Sequence, residues 1–379
     1  MNHKKLSAVL VALLATASAF VPLGTADAAY RFSDFQGRPP VHVYKSAQLK
    51  PSGVSPAEIK KVYNLPATGG KGTIAIIDAY DDPNMESDLA VFDKQYNLPA
   101  CTAANGCFEK HKMASSTASD SGWAMETSLD VEWAHAIAPT AKILLVEAKT
   151  PSGANLLSAI DYATSRKDVI AISMSWGGAE FSDELSYDTH FVDKANPAAA
   201  FFASSGDDGA GASWPASSPN VIGVGGTSLA LASSGALIAE SAWSGSGGGV
   251  SAYEKEPVWQ TAYKISKAGG MRAIPDVSYD ADPASGYSIY ITTGTGAKAK
   301  GAWDTVGGTS AGAPQWAAIQ ALGGSAVLAR FYSDKASTST LKYFRDITSG
   351  SNGACAYYCD ARKRYDYVTG LGSPQTTKF

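Results

Sequence analysis

Residues 71–78, KGTIAIID, are a short apolar run introduced by glycine, the pattern of a strand buried on both faces of a parallel sheet. Four further runs have the same character: ILLV at 143–146, VIAISMS at 169–175, AFFAS at 200–204 and VIGV at 221–224. Helical stretches fall between them, at 126–137, 155–165 and 183–195. Strand alternating with helix predicts an α/β fold: a doubly wound, mainly parallel sheet with helices on both faces. Ligand sites in such a sheet lie beyond the carboxyl ends of the strands. Upstream, Ser55-Pro56-Ala57-Glu58 reads as a helix start, with serine as N-cap and proline at the first helical position. Residues 245–301 are richer in Gly, Ser, Tyr and Pro and read as long loops and short antiparallel strands around the same core.

The chain has 379 residues, 45% of them apolar and 17% charged, with a formal net charge of −4. That excludes a disordered chain and a coiled coil, and no cluster of Lys and Arg is present to hold nucleic acid. Lys4 and Lys5, an apolar stretch at 6–20 and Ala26-Asp27-Ala28 have the three parts of an export signal. The expected layout is a signal peptide at 1–28, a short extended arm at 29–51 and one domain at 52–379. A retained anchor is the competing reading, but the apolar run is short and is followed by Pro22 and Gly24. Export predicts a secreted or periplasmic product with no membrane association after signal cleavage, and a monomer is expected. In that setting the pairs Cys101/Cys107 and Cys355/Cys359 read as two local disulfides, with a zinc site as the alternative.

Chemistry concentrates in VGGTSAGAP at 306–314, ahead of the helical stretch QWAAIQAL. A serine at the mouth of a helix with small neighbours has an exposed hydroxyl, a positive dipole end and free backbone N–H groups, as a nucleophile requires. An ordinary N-cap is the plainer reading of Ser310. A serine nucleophile needs a base. His42 in the arm, His111, His135 and His190 each read as a surface or core residue, since none has the surroundings of a catalytic histidine. Glu126 and Asp130 are four apart on one helix face with apolar neighbours, whereas His135 emerges on the opposite face. Two adjacent carboxyls share a proton over a wide pH range, so one acts as base while the other orients it. Asp207, in SSGDDG after a buried strand, is placed to donate to an oxyanion when protonated; a turn-forming aspartate is the alternative.

These segments together resemble the sedolisins, the serine-carboxyl peptidases with a subtilisin-like fold. The resemblance runs from about residue 55 to 374 through KGTIAIIDAYDDP, ETSLDVEWAHAIAP, SMSWGG, SSGDDG, SGGGVS, IPDVSYDADP, GGTSAGAP and DIT…YDYVTGLGSP. It implies a secreted endopeptidase acting on proteins or peptides, with Ser310 as nucleophile, Glu126 as base, Asp130 as its partner and Asp207 as oxyanion donor. It also implies that Ser175, Trp176 and Gly177 pair with substrate backbone. A calcium ion (Ca2+) is implied at the Asp346 and Asp366 carboxylates and the carbonyls of Ile347, Arg362 and Arg364. The two arginines stand where the family usually has glycine. The family's long prodomain has no counterpart in the roughly 25 residues between the signal and the first helix. Unaided folding, a partner or an arm that blocks the cleft are the expected solutions. Two other readings follow from the same residues: a subtilisin-type peptidase with His135 as base, and a secreted binding protein on an inactive peptidase fold.

Overall fold

Residues of the strand at 73–79 alternate between two cores. Ile74 and Ile76 pack into one and Ala75 and Ile77 into the other, so a fully apolar strand serves both faces of one sheet. The computed structural model describes residues 30–115, 117–193, 195–294, 296, 299–325, 327–333 and 343–377. The expected signal peptide lies outside them.

In chain order the N-terminal part contains β1 (His42–Gln48), α1 (Pro56–Val62), β2 (Thr73–Ala79), α2 (Met85–Tyr96), β3 (Phe108–Lys112), α3 (Ser121–Ile137), β4 (Lys142–Ala148), α4 (Gly153–Thr164) and β5 (Val169–Met174). Then come the short β6 (Gly178–Ala179), β7 (Ala200–Ser204), β8 (Ser213–Trp214), β9 (Ile222–Leu231) and β10 (Leu237–Ala242). The last third holds β11 (Gly249–Lys255), α5 (Val258–Tyr263), β12 (Met271–Ile274), β13 (Val277–Asp280), β14 (Tyr287–Thr293), β15 (Lys300–Gly307) and α6 (Gly312–Ala321).

The main sheet has eight strands in the order β10-β9-β7-β5-β2-β4-β3, with β13 also paired to β9. Every pairing in it is parallel except that of the edge strand β10. This is the doubly wound α/β sheet expected from the sequence. The smaller sheet β1-β15-β14 covers the far side of α3. Both α3 and α6 are buried on nearly every side, as helices between two layers must be. Asp120 caps α3, its Oδ1 accepting the amides of Gly122 (2.9 Å) and Trp123 (3.0 Å). Among the described residues no helix is long and apolar enough to cross a membrane.

Two expectations need correction. Within the stretch read as a helix at 183–195, the described residues hold a 3-10 segment, Glu184–Phe191, instead of a regular helix. Glu184 is drawn inward there to accept the Phe181 amide at 3.0 Å and the Ser217 hydroxyl at 3.2 Å, and these tertiary bonds override helix propensity. Within 245–301, β13 joins the main sheet in parallel; four residues are too few to display a period. The N-terminal arm, described from residue 30, is packed on the domain. Phe35 is wholly buried, with ring centroids 4.8 Å from Trp214 and 5.7 Å from Phe181, and β1 is annealed to β15. The structure closes the Cys101–Cys107 and Cys355–Cys359 disulfides, each across a short surface loop.

Candidate active site

The interior of α3 presents Glu126 and Asp130 to the ends of β2 and β5, and neither residue has any exposed surface. Asp78, the penultimate residue of β2, adds a third wholly buried carboxyl that the sequence reading missed. Its place at the carboxyl end of a central parallel strand was the available signal. Ser175 follows β5 directly, and its hydroxyl lies 2.8 Å from Asp130 Oδ1 and 3.2 Å from the main-chain carbonyl of Ser310. Ser310 sits in the single turn Thr309–Ala311 that leads into α6. Four acidic and hydroxyl groups, from α3, β2 and the end of β5, therefore gather beside the turn that carries Ser310.

Burial dominates the electrostatics. It holds the Glu126 and Asp130 carboxyls well above the usual carboxylate range, and the neighbouring charge of Asp78 pushes both further up. Asp78 is itself pushed up to about 7 by burial, against a hydroxyl contact from Thr127. Three such groups cannot all ionise in one dry pocket, so they hold protons in common and exchange them cheaply. A contact with Ser310 opposes the rise at Glu126. Ser310 Oγ, both Glu126 oxygens and Asp130 Oδ2 nevertheless lack an aligned hydrogen bond. Loose contacts of this kind are common in catalytic groups that tighten only around a substrate.

Asp207 approaches from the loop after β7, where Gly206 at φ +104° turns the chain in a conformation that favours glycine. Its Oδ1 accepts both the amide and the hydroxyl of Thr309 at 2.8 Å, which fixes it beside the nucleophile turn. Burial raises its pKa as well, so it keeps its proton to a higher pH than an exposed aspartate. The other oxygen, Oδ2, meets His42 Nε2 at 3.0 Å. His42 was read from the sequence as a surface or core residue, and among the described residues it is the histidine that reaches Asp207. Its contact with Asp207 raises the imidazole pKa, against the effect of burial, and the charge of Asp208 adds to the rise.

His135 is elsewhere. It emerges from the other side of α3, with Nε2 2.9 Å from the Pro99 carbonyl and 3.3 Å from Asp93 Oδ1, and burial lowers its pKa to about 4. The segment Ser175-Trp176-Gly177 divides its tasks. Ser175 faces the carboxyls; the Trp176 ring is entirely buried, its indole N–H donating to the Ile77 carbonyl at 2.9 Å; Gly177 presents its backbone to the cleft.

Both carboxylates expected as cation ligands meet the loop at 362–366. The Arg364 amide donates to both oxygens of Asp346 (2.9 and 3.0 Å), and the Arg362 amide to Asp366 Oδ2 (3.0 Å). Arg364 takes φ +69°, the glycine-like conformation anticipated for that position. The Arg362 guanidinium turns away to Asp360 (3.2 Å) and stacks 4.6 Å from the Tyr357 ring centre. Two carboxylates held against the same loop, with that guanidinium directed away from them, are oxygen donors of the kind a hard cation takes.

Residues 111–342 match the model of the subtilase family of peptidases. The chain belongs to the subtilase family. This subtilase is 29% identical over 376 residues to sedolisin of Pseudomonas sp. (strain 101), an alignment that covers 86% of this chain and 60% of that one. It is 31% identical over 369 residues to kumamolisin of Bacillus sp. (strain MN-32), covering 87% and 63%. It thus spans a little over half the length of these two curated relatives. The solved structure of Pseudomonas sedolisin, a serine-carboxyl proteinase complexed with pseudo-iodotyrostatin, superposes with a TM-score of 0.72 at 28% identity, covering 86% of this chain and 96% of that one. The subtilisin-like architecture expected from the sequence is therefore present, and the likeness is to the serine-carboxyl peptidases.

Proposed function

We propose that this subtilase is a secreted serine-carboxyl endopeptidase that hydrolyses protein or peptide substrates through a Ser310 acyl-enzyme. The observation that carries the reading is the convergence of Glu126, Asp130 and Ser310 in one buried pocket that contains no histidine side chain of α3. Glu126 removes the hydroxyl proton as Ser310 attacks the peptide carbonyl, and Asp130, held by Ser175, orients Glu126 and takes up part of the shared proton. Asp207 in its protonated form and the backbone N–H groups of the turn donate to the oxyanion. Glu126 then returns the proton to the leaving amine, and water repeats the sequence to release the acyl group. Substrate backbone lies along Gly177 as an added strand, which gives affinity with little side-chain selection.

Carboxyl chemistry makes the reaction acid-favoured, because Asp207 donates only while protonated. A calcium ion held by Asp346 and Asp366, with carbonyls of Ile347, Arg362 and Arg364, would brace the C-terminal loops and take no part in the chemistry. The reading with His135 as base finds no support in an imidazole hydrogen-bonded to the Pro99 carbonyl on the other side of α3.

The test is hydrolysis of casein or a quenched peptide between about pH 3 and pH 8, beside Ser310→Ala and Glu126→Ala variants. Acid-favoured turnover lost in both variants is the expected result. Turnover that survives in Glu126→Ala, or its absence at every pH from a folded chain, overturns the assignment.

A further inference from the structure

Cys101 follows α2, Cys107 leads directly into β3, and His135 lies in the last turn of α3. A ring nitrogen of His135 and the sulfurs of both cysteines lie within 4.8 Å of one another, although the three residues belong to separate parts of the chain. His135 Nε2 stands 2.9 Å from the Pro99 carbonyl. A carbonyl only accepts, so Nε2 carries the ring proton and Nδ1 keeps a lone pair. Nδ1 is buried and has no hydrogen-bond partner, a state that costs stability. An imidazole whose other N–H is fixed on a carbonyl is the arrangement found in metal-ligating histidines. Asp93 borders the same group: its Oδ2 accepts the Cys101 amide at 3.0 Å, and its Oδ1 lies 3.3 Å from His135 Nε2.

We propose that, with the Cys101–Cys107 disulfide open, this chain binds one thiophilic divalent cation, Zn2+ being the type, through the two thiolates and His135 Nδ1. The inference is independent of the peptidase reading. Two thiolates and an imidazole are donors that a borderline-soft ion takes, and the two thiolate charges match that of the ion. Thiolates on one tetrahedral ion stand about 3.8 Å apart, given Zn–S bonds of about 2.3 Å, so the sulfurs part as the ion enters. The loop between them allows it. Ala103, Ala104, Asn105 and Gly106 are exposed, and a Cβ on Gly106 would meet nothing within 4 Å. Cys107 is half-buried, so water can reach the fourth position. Opening takes two electrons from a dithiol, which leaves as its own disulfide, and the two protein thiols release their protons as they bind the ion. In the reverse direction a disulfide-bearing oxidant takes up two electrons and two protons, Cys101 joins Cys107, and the ion is set free. The bound ion ties α3 to a loop that the disulfide closes without it.

The experiment uses the chain with Ser310→Ala, which prevents self-digestion, and with Cys355→Ser and Cys359→Ser, which leave a single cysteine pair. It is reduced with a dithiol, freed of the dithiol without air, and titrated with Co2+. The expected result is one cobalt per chain with a thiolate-to-metal charge-transfer band, absent from the oxidised chain and bleached by Zn2+. Cys107→Ser should weaken binding by more than the about 10- to 100-fold that losing an outer-shell partner costs. Because His135 is wholly buried, its part is read without replacing it, on the reduced chain with all four cysteines: the nitrogen NMR resonance of Nδ1 should move when zinc binds, while Nε2 keeps its proton. Oxidised glutathione added to the zinc-loaded single-pair chain should release one zinc for each disulfide closed. The proposal is overturned by the lack of a thiolate band, by equal binding to the oxidised chain or to Cys107→Ser, by an unmoved Nδ1 resonance in the zinc-loaded chain, or by zinc retained after the disulfide closes. A reduced chain that loses its fold and does not recover it with zinc overturns it as well.

Discussion

The Ser175 hydroxyl lies 2.8 Å from Asp130 Oδ1 and joins the strand end of β5 to the carboxyl pair on α3. Its contact opposes the rise that burial imposes on Asp130. Removing it in Ser175→Ala leaves a buried carboxyl short of a donor and harder to ionise. The expected outcome is a loss of about tenfold to a hundredfold in kcat/KM with an intact fold. The acid limb of the pH profile should move upward, because the shared set then loses its last negative charge at a higher pH. A rate loss with an unmoved profile would leave Ser175 a purely structural residue.

Asp207 should set the other limb. Since Oδ1 is occupied by Thr309, donation to an oxyanion depends on the remaining proton, and burial keeps that proton in place above the usual aspartate range. In Asp207→Asn the amide donates at any pH, so activity should persist to higher pH than in the parent. Asp207→Ala should lose about a hundredfold to a thousandfold in kcat, as the removal of an oxyanion donor does elsewhere. Parallel pH profiles for parent and Asp207→Asn would remove Asp207 from the alkaline limb.

The legible parts of this chain were those with a long period or a dense local motif. The parallel strands announced themselves as glycine-introduced apolar runs, and Glu126, Asp130, Asp207 and Ser310 stood in motifs whose chemistry is local. The missed residues act through tertiary meetings. Asp78 looks like the polar end of an apolar strand until three carboxyls are seen to share its pocket. Ser175 was placed on the substrate edge, yet its side chain turns the other way, as alternation along a strand end requires. His42 lies 165 residues from Asp207 in sequence, and no spacing rule connects them. The packing of the N-terminal segment turns on a core residue, Phe35, in a stretch too short to show any pattern.

Stability should also favour acid. Burial raises Asp82 to about 6, Asp93 to about 7, Glu254 to about 8 and Glu184 to about 9, besides the catalytic set. For such groups the folded chain binds more protons than the unfolded one between the ordinary carboxyl pKa near 4 and the raised value. Their contribution is therefore full below about pH 4 and is lost as pH climbs through the raised values. Lys110, bonded to Asp81 and Glu147, is a partial counterweight at one edge of the sheet. Thermal unfolding followed by circular dichroism should give a higher Tm near pH 4.5 than near pH 8. A Tm that rises steadily over that range would mean these carboxyls are ionised in the folded chain.

The C-terminal loops offer the last prediction. Asp366 is already held by the amides of Val368 and Thr369 at 2.8 Å, so its turn is shaped before any ion arrives. Arg364 keeps its left-handed conformation at some cost to a residue with a side chain. An ion that bridges Asp346 to this turn would offset that cost and stabilise the folded chain by mass action. Calcium at about a hundred times its dissociation constant should raise Tm by about 4 °C, and a chelator should reverse the shift. Asp346→Asn keeps an oxygen to accept the Arg364 amide but removes the charge, so its Tm should respond to neither calcium nor chelator. An equal response in parent and Asp346→Asn would place the ion elsewhere, and none in the parent would mean that the arginines have closed the site.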